Sequence, residues 1–401
     1  MKIAAQSQQI NNLLTRAVSN VFVCENLEKK LMSGKPLRVK FGIDPTSADI
    51  HLGHAVPLLK LRYFQELGHK AILIIGDFTA MIGDPSGRAQ ARIPLTAEEI
   101  KKNLKNYLSQ AGKIIDIKKT EIHFNSEWFG KMKAADFYQL ASHMTIQQVL
   151  KREDFKKRIE NNQDINATEM MYPLFQGYDS VMIKADVEIG GEDQLLNLLA
   201  GRKVQRAYKM PEQDILTTWL IEGIDGKRKM SKSYGNYISI NEKPEIMFAK
   251  IMSIPDSLII KYFEALTEVP ESEIKVLESD MKREKLSPRN IKAKLAYEIV
   301  KIYYGGEKAK KAEEEFERVF RKHELPENIE EVYVSIKPCL IVELLIHLGL
   351  APSRNQARRL VLENAVKVNG KVINNPMATV SVSLGMIVQS GKRNFRRVVK
   401  K

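Results

Sequence analysis

The segment Ala71-Ile72-Leu73-Ile74-Ile75, closed by Gly76, limits the fold more than any other stretch of this chain. An unbroken apolar run bounded by glycine suits a strand covered on both faces, the condition met inside a parallel sheet. Upstream, Leu37-Arg38-Val39-Lys40-Phe41 alternates apolar and basic residues and predicts another strand. The turn Gly42-Ile43-Asp44-Pro45-Thr46 then leads into a helix expected from about Ile50 to Leu67, ended by Gly68, with Pro57 past its first turn. Strand, helix and strand in this order form a βαβ unit, so the expected fold class is α/β.

Further strands are expected at Val187–Ile189, before Gly190-Gly191, and at Ile215–Ile221. Residues 95–165 and 243–322 read as mostly helical. Ser287-Pro288 opens one helix with a cap residue and a first-turn proline, and Ile291, Leu295, Ile299 and Ile302 mark its apolar face. The acidic, proline-bearing stretch from Leu325 reads as a linker to a small module at 336–401.

The chain has 401 residues, enough for two or three domains. No run of about 18 apolar residues exists, so no membrane span is expected. The N-terminus lacks a signal-peptide core, and Cys24 and Cys339 fit neither a disulfide framework nor a zinc spacing, so a cytoplasmic location is expected. A net charge of +14 points to a polyanionic partner or to a lysine-rich solubilising surface. Clustering of Lys392, Arg393, Arg396, Arg397, Lys400 and Lys401 at the C-terminal end favours the former.

Two distant motifs suggest the chemistry. In His51-Leu52-Gly53-His54 two imidazoles fall three residues apart at a helix N-terminus, whose free N–H groups favour phosphate; Gly53 lets a ligand approach the backbone. Lys229-Met230-Ser231-Lys232-Ser233 places two ammoniums in a polar loop, suited to a departing pyrophosphate. Each has a plain alternative, surface histidines in one case and a solvated basic loop in the other. Together they suggest an ATP site that transfers an adenylyl group. Asp84, Arg88 and Arg92 follow the buried strand, either as an ordinary turn or as groups for an ammonium and for phosphate oxygens. Tyr172, Gln176 and Asp179 share one helical face, a solvent-facing stripe or a polar ligand site. Gly191 and Asp193 sit after a strand and glycine turn, a common place to hold ribose.

These motifs together resemble the class I aminoacyl-tRNA synthetases, specifically the bacterial tyrosyl type. The HLGH and KMSKS pair carries the class; the Tyr172-x-x-x-Gln176-x-x-Asp179 helix with Gly190-Gly191-Glu192-Asp193-Gln194 carries the amino acid. Ser353–Leu360 and Val366–Val372 resemble an S4-type RNA-binding domain. The resemblance implies a Rossmann-type parallel-sheet catalytic domain at 1–235 with a helical insertion at about 120–170. A helical anticodon-binding-type domain at 236–325 and an α+β S4-type domain at 336–401 would follow.

By the same resemblance, Asp84, Tyr172 and Gln176 hold the amino group of L-tyrosine, Asp179 accepts from its phenol, and Asn125 supports the pocket. Gln194 lies near the substrate carboxylate and Asp193 near the ribose. Gly42, Asp44, Thr46, Gly53, Gly191, Met230, Ser231 and Ser233 line the ATP site. His51, His54, Lys229, Lys232, Arg88 and Arg92 stabilise the transferring phosphates of ATP, which enters with Mg2+; no tightly bound metal is expected. Arg354, Arg358, Arg359, Lys392 and Arg393 contact tRNA(Tyr), and a homodimer is implied. Three positions depart from the family pattern. Lys40 stands where many tyrosyl enzymes carry a first-strand tyrosine that reads the phenol, which leaves that task to Asp179. Glu188 replaces the common Gln before Gly-Gly, and Arg88 replaces a Lys. A tryptophanyl synthetase and a noncatalytic RNA-binding protein on the same scaffold are the rival readings.

Overall fold

The computed structural model describes residues 7–46, 49–86, 95–320, 329–334, 337–391 and 394–400. The chain divides into two compact units, Met1–Glu313 and Glu314–Lys401. A six-stranded sheet organises the first: β1 (Val18–Phe22), β2 (Arg38–Ile43), β3 (Lys70–Ile75), β4 (Glu121–Phe124), β5 (Val187–Gly191) and β6 (Asp214–Thr218). Their spatial order is β1-β6-β5-β2-β3-β4. Neighbours are parallel except β1 and β6. The chain winds from β2 to β3 and β4 in one direction, then returns to β5 and β6 on the other side of β2. This reversal opens a crevice at the C-terminal ends of β2 and β5, where sheets of this kind take their ligands.

The expected βαβ unit is present. β2 and β3 pair from Arg38↔Lys70 to Ile43↔Ile75, and β3 is buried from Ala71 to Ile75. The connecting helix, Leu52–Glu66, runs through Pro57 and buries Leu52, Ala55, Val56, Leu58, Leu61 and Phe64. Ile72 and Ile74 pack with Trp128, Phe129, Leu174, Phe175 and Val204 in one apolar cluster. Helices Ala167–Met182 and Leu195–Ala207 close on each other at Gly177, where a Cβ would lie 2.9 Å from Val204 Cγ2 and 3.1 Å from Gly201 Cα.

Several local expectations are corrected. β4 lies inside the segment 95–165 read as mostly helical, and β1 was not anticipated. Both are short edge strands whose side chains are mostly half-buried or exposed. No long apolar run marks them; pairing with β6 and β3 makes them strands. The strand expected to reach Ile221 ends at Thr218. Helix Pro288–Tyr304 begins where the Ser287 side chain accepts the Asn290 N–H, and it buries Ile291, Leu295 and Ile299. Tyr303, rather than Ile302, takes the next buried place.

Residues 236–313 fall within the first unit. Arg16 donates to the backbone carbonyls of Phe263, Glu264, Thr267 and Val269 at 2.7–3.1 Å, occupying acceptors left over at the end of helix Ile259–Leu266.

The second unit contains β7 (Glu330–Val334), β8 (Cys339–Leu340), β9 (Val366–Val368), β10 (Lys371–Ile373), β11 (Thr379–Val380), β12 (Ile387–Ser390) and β13 (Asn394–Lys400). Five of these form a sheet in the order β10-β9-β12-β13-β7, and β11 pairs with β8. Its core joins Ile341, Leu344, Leu345, Ala357, Val361, Val366 and Val388. Helix Arg354–Leu362 buries Ala357 and Val361 and exposes Arg354, Arg358 and Arg359. The basic C-terminal cluster is partly neutralised. Arg396 and Arg397 lie on β13 and pair with Glu330 and Glu331 of β7 at 3.1 and 3.8 Å. Lys392 and Arg393 lie outside the described residues. Among the described residues no helix is long and apolar enough to cross a membrane.

Candidate active site

A cavity of about 630 Å³ opens at the crevice. The strands give it Phe41, Ile74, Ile189 and Thr218, and the turns that follow them give it most of its polar groups. β2 ends in Gly42, Asp44 and Thr46; the segment after β3 brings Gly76, Thr79 and Asp84; β5 ends in Gly191, Asp193 and Gln194. Helix Ala167–Met182 contributes Tyr172, Gln176 and Asp179, and His51, Gly53, His54, Lys229, Met230, Ser231 and Ser233 line the same cavity. Parts of the chain nearly 180 residues apart thus share one space (Lys229 minus His51 is 178).

The histidine motif works through its glycine. His51 is the N-cap of helix Leu52–Glu66, and its Nδ1 accepts the Gly53 N–H at 3.1 Å. A Cβ on Gly53 would lie 2.9 Å from His51 Cε1 and 3.0 Å from Nδ1. The ring thus takes the space a Gly53 side chain would need, while Gly53 itself still borders the cavity. The His51 and His54 rings stack at 3.8 Å. Burial, then His54 and Lys229, hold His51 well below the usual histidine range. It is therefore neutral, and with Nδ1 accepting, Nε2 carries the proton and is its donor.

The lysine loop is anchored to the same wall. Met230 N–H donates to the Ile221 carbonyl at 2.8 Å, and Ser231 N–H to Asn236 Oδ1 at 2.8 Å. Lys229 Nζ pairs with Asp193 Oδ2 at 2.8 Å, so the expected phosphate ligand and the expected ribose ligand hold one another. Lys232 is exposed and does not line the cavity. Arg88 and Arg92 lie outside the described residues.

A second group of lining residues is acidic and gathers around Tyr172. Asp44 accepts from Thr79 Oγ1 at 2.8 Å and from Tyr172 OH at 2.9 Å. Its carboxylate fills the space a Gly76 side chain would take, since a Cβ there would come within 2.0 Å of Asp44 Oδ1. Tyr172 therefore spends its proton on Asp44 and offers a lone pair to the cavity. Burial, with Asp44, Asp84 and Asp179 nearby, drives its phenol well above the usual range.

Asp84 accepts from the neutral donors Ser86 N–H, Asn197 Nδ2 and Gln194 Nε2 at 3.0, 3.2 and 2.7 Å. Asp179 accepts from Trp128 Nε1 at 2.9 Å and from Asn125 Nδ2 at 3.5 Å. Burial raises its carboxyl to about 7, against the opposing pull of the Lys40 ammonium and of the Trp128 and Asn125 hydrogen bonds. Asn125 is buried behind the pocket, where it also holds Thr79 Oγ1 and the Phe78 N–H.

Four further residues shape the site without having been singled out for it. Trp128 closes the segment Asn125-Ser126-Glu127-Trp128 and was the one legible from its neighbours. Arg152, 5% exposed, donates to Asn197 Oδ1 at 2.8 Å. That leaves Asn197 only its amide protons for Asp84, Ser86 and Gln194. Ser86 also accepts from Arg152 at 3.1 Å. Nothing in the local sequence of Arg152 or Asn197 announces this.

Lys40, the departure at the first-strand position, does not reach the cavity. It is fully buried and paired with a second departure, Glu188, at 2.9 Å. Among the described residues no group of three or more His, Cys, Asp or Glu is placed to hold a metal ion.

The model of the family described as tRNA synthetases class I (W and Y) matches residues 32–321, and that of the S4 domain matches 341–384. The tyrosine–tRNA ligase of Thermotoga maritima is 49% identical over 386 residues, covering 96% of each chain. That of Geobacter metallireducens is 45% identical over 401 residues, covering 100% of each. A C-terminally truncated mitochondrial tyrosyl-tRNA synthetase from Aspergillus nidulans shares the fold, with a TM-score of 0.66 at 22% identity over 79% of this chain and 95% of that one. The chain belongs to the class I tRNA synthetases (W and Y), on the branch of the tyrosine–tRNA ligases.

Proposed function

We propose that the cavity activates L-tyrosine with ATP and that the same chain then charges tRNA(Tyr). The observation that carries this reading is that one cavity is lined by two clusters: carboxylates of Asp44, Asp84 and Asp179 around Tyr172, and the His51 and His54 imidazoles with the Lys229 ammonium. The acidic cluster suits an ammonium and a phenol, and the basic cluster suits a triphosphate. Asp84, Tyr172 and Gln176 take the ammonium, and Asp179 accepts from the phenol. Gly191 and Asp193 take the ribose. ATP enters as its magnesium complex, the metal belonging to the substrate.

In the first step a tyrosine carboxylate oxygen attacks the α-phosphorus, the P–O bond to the β-phosphate breaks, and pyrophosphate leaves. The attacking carboxylate is ionised at neutral pH, so no general base is needed; alignment and charge stabilisation supply the rate. Lys229, freed from Asp193 as the nucleotide arrives, and the His51 N–H meet the charge that grows on the leaving group. In the second step the terminal ribose hydroxyl of tRNA attacks the tyrosyl carbonyl and AMP leaves.

Exposed Arg354, Arg358 and Arg359 on one helix suit tRNA phosphates, and residues 236–325 serve the anticodon end. Exposed Tyr138, Ile146 and Ile159 in the 120–170 segment favour a homodimer, and a cytoplasmic location is part of the same proposal. Pyrophosphate exchange with each aromatic amino acid tests the reading. Exchange with tyrosine alone is expected; exchange with tryptophan, or RNA binding without exchange, would refute it.

A further inference from the structure

Lys40 and Glu188 face one another in register on the central strands β2 and β5, both at 0% exposure. Neither lines the cavity, yet every polar atom they carry is engaged. The three Lys40 protons go to Glu188 Oε1 at 2.9 Å, Ser180 Oγ at 2.8 Å and the Gln176 backbone carbonyl at 2.7 Å. Glu188 also accepts from Gln176 Nε2 at 3.1 Å, from Ser180 Oγ at 3.1 Å and from Gln213 Nε2.

A carboxylate paired to an ammonium accepts hydrogen bonds and donates none. The Gln176 carboxamide must therefore turn its nitrogen toward Glu188 and its oxygen away from it. A glutamine at 188 would leave that choice open, because an amide offers either partner. A lone glutamate would be an uncompensated buried charge, and Lys40 supplies the compensation.

We propose that the Lys40–Glu188 pair is a positioning device for the amino-acid site, locking the Gln176 carboxamide so that its oxygen is the acceptor offered to the substrate ammonium. This rests on the reading that the cavity binds tyrosine with its amino group at Gln176. It also assigns a role to the first-strand position: Lys40 acts on the amino end of the substrate through Glu188, and Asp179 reads the phenol end.

The test compares three ligands on the full-length chain: L-tyrosine, tyramine, and 3-(4-hydroxyphenyl)propanoate, which lacks the amino group. In the double variant Lys40→Met with Glu188→Gln, which removes both charges together, the KM for tyrosine should rise about tenfold, the worth of one charge-assisted hydrogen bond, with kcat changing less. Tyramine should weaken by the same factor and the desamino analogue should hold its affinity, because the Lys40 and Glu188 charges pull the Asp179 carboxyl in opposite directions and are removed together. Equal weakening of all three ligands, or an unchanged tyrosine KM in a folded variant, would overturn the proposal. An unmodified chain that binds the desamino analogue as tightly as tyrosine would instead refute the underlying assignment of the ammonium. Should the double variant fail to fold, glutamine-selective 15N labelling of the unmodified chain decides the matter. Slow exchange of the Gln176 side-chain protons before any ligand is added supports the lock, and fast exchange overturns it.

Discussion

Replacing Asp179 by Asn removes a charge and almost nothing else, so it isolates what the carboxylate contributes. Trp128 Nε1 lies 2.9 Å from Asp179 Oδ1 and can only donate. In Asp179→Asn the side-chain oxygen must turn to Trp128, which puts an amide nitrogen where Oδ2 was, facing Asn125 Nδ2 and the incoming phenol. The phenol loses a charged acceptor, worth about 1.5–3 kcal/mol. The preference for tyrosine over phenylalanine in kcat/KM for pyrophosphate exchange should fall by about 10- to 150-fold, mostly through tyrosine.

Stability should move the other way. A carboxyl held at about 7 in the fold and near 3.9 in the unfolded chain costs about 4 kcal/mol to ionise in place. The folded state holds this proton more tightly than the unfolded one. The cost is therefore absent below about pH 4, grows as pH rises, and is complete above about 7. After allowing for the weaker, uncharged bond to Trp128 and for the amide nitrogen left facing Asn125, the variant should be about 1–2 kcal/mol more stable than the parent at pH 8, the difference shrinking toward pH 5. Chemical denaturation at the two pH values measures it. An unchanged tyrosine-to-phenylalanine ratio, or a stability difference indifferent to pH, would refute the assignment of Asp179.

The same ionisation predicts that the KM for tyrosine in the parent improves between pH 6 and 8 and that Asp179→Asn abolishes the trend, read from initial rates of exchange. Gly53→Ala drives a methyl into the His51 ring and should lower kcat for exchange about a hundredfold while sparing the tyrosine KM. Lys229→Ala removes a leaving-group contact and frees Asp193, with a loss in kcat of about the same size, whereas Lys232→Ala at its exposed position should cost less. Deleting 336–401 should leave exchange intact and depress aminoacylation of tRNA, which a charging assay with radiolabelled tyrosine would register.

Periodicity and punctuation in the chain were enough to define the parallel βαβ unit, because a doubly covered strand needs an apolar run and a crossover helix needs caps. They also announced the histidine and lysine motifs that meet at the cavity and the Tyr172–Asp179 face, since i, i+4 and i+7 spacing puts side chains on one side of any helix. They did not reveal β1 and β4, whose identity comes from the strand beside them, nor that the His51 ring packs over Gly53.

Partnerships made across strands and helices belong to the tertiary structure alone. Lys40 and Glu188 look like two unrelated departures until β2 and β5 bring them into register. Arg152, Asn197 and Asp84 become one hydrogen-bonded relay only when three distant segments meet. Charge and hydrogen-bond direction depend on what is within about 3 Å and on how much water has been excluded, and linear order encodes neither.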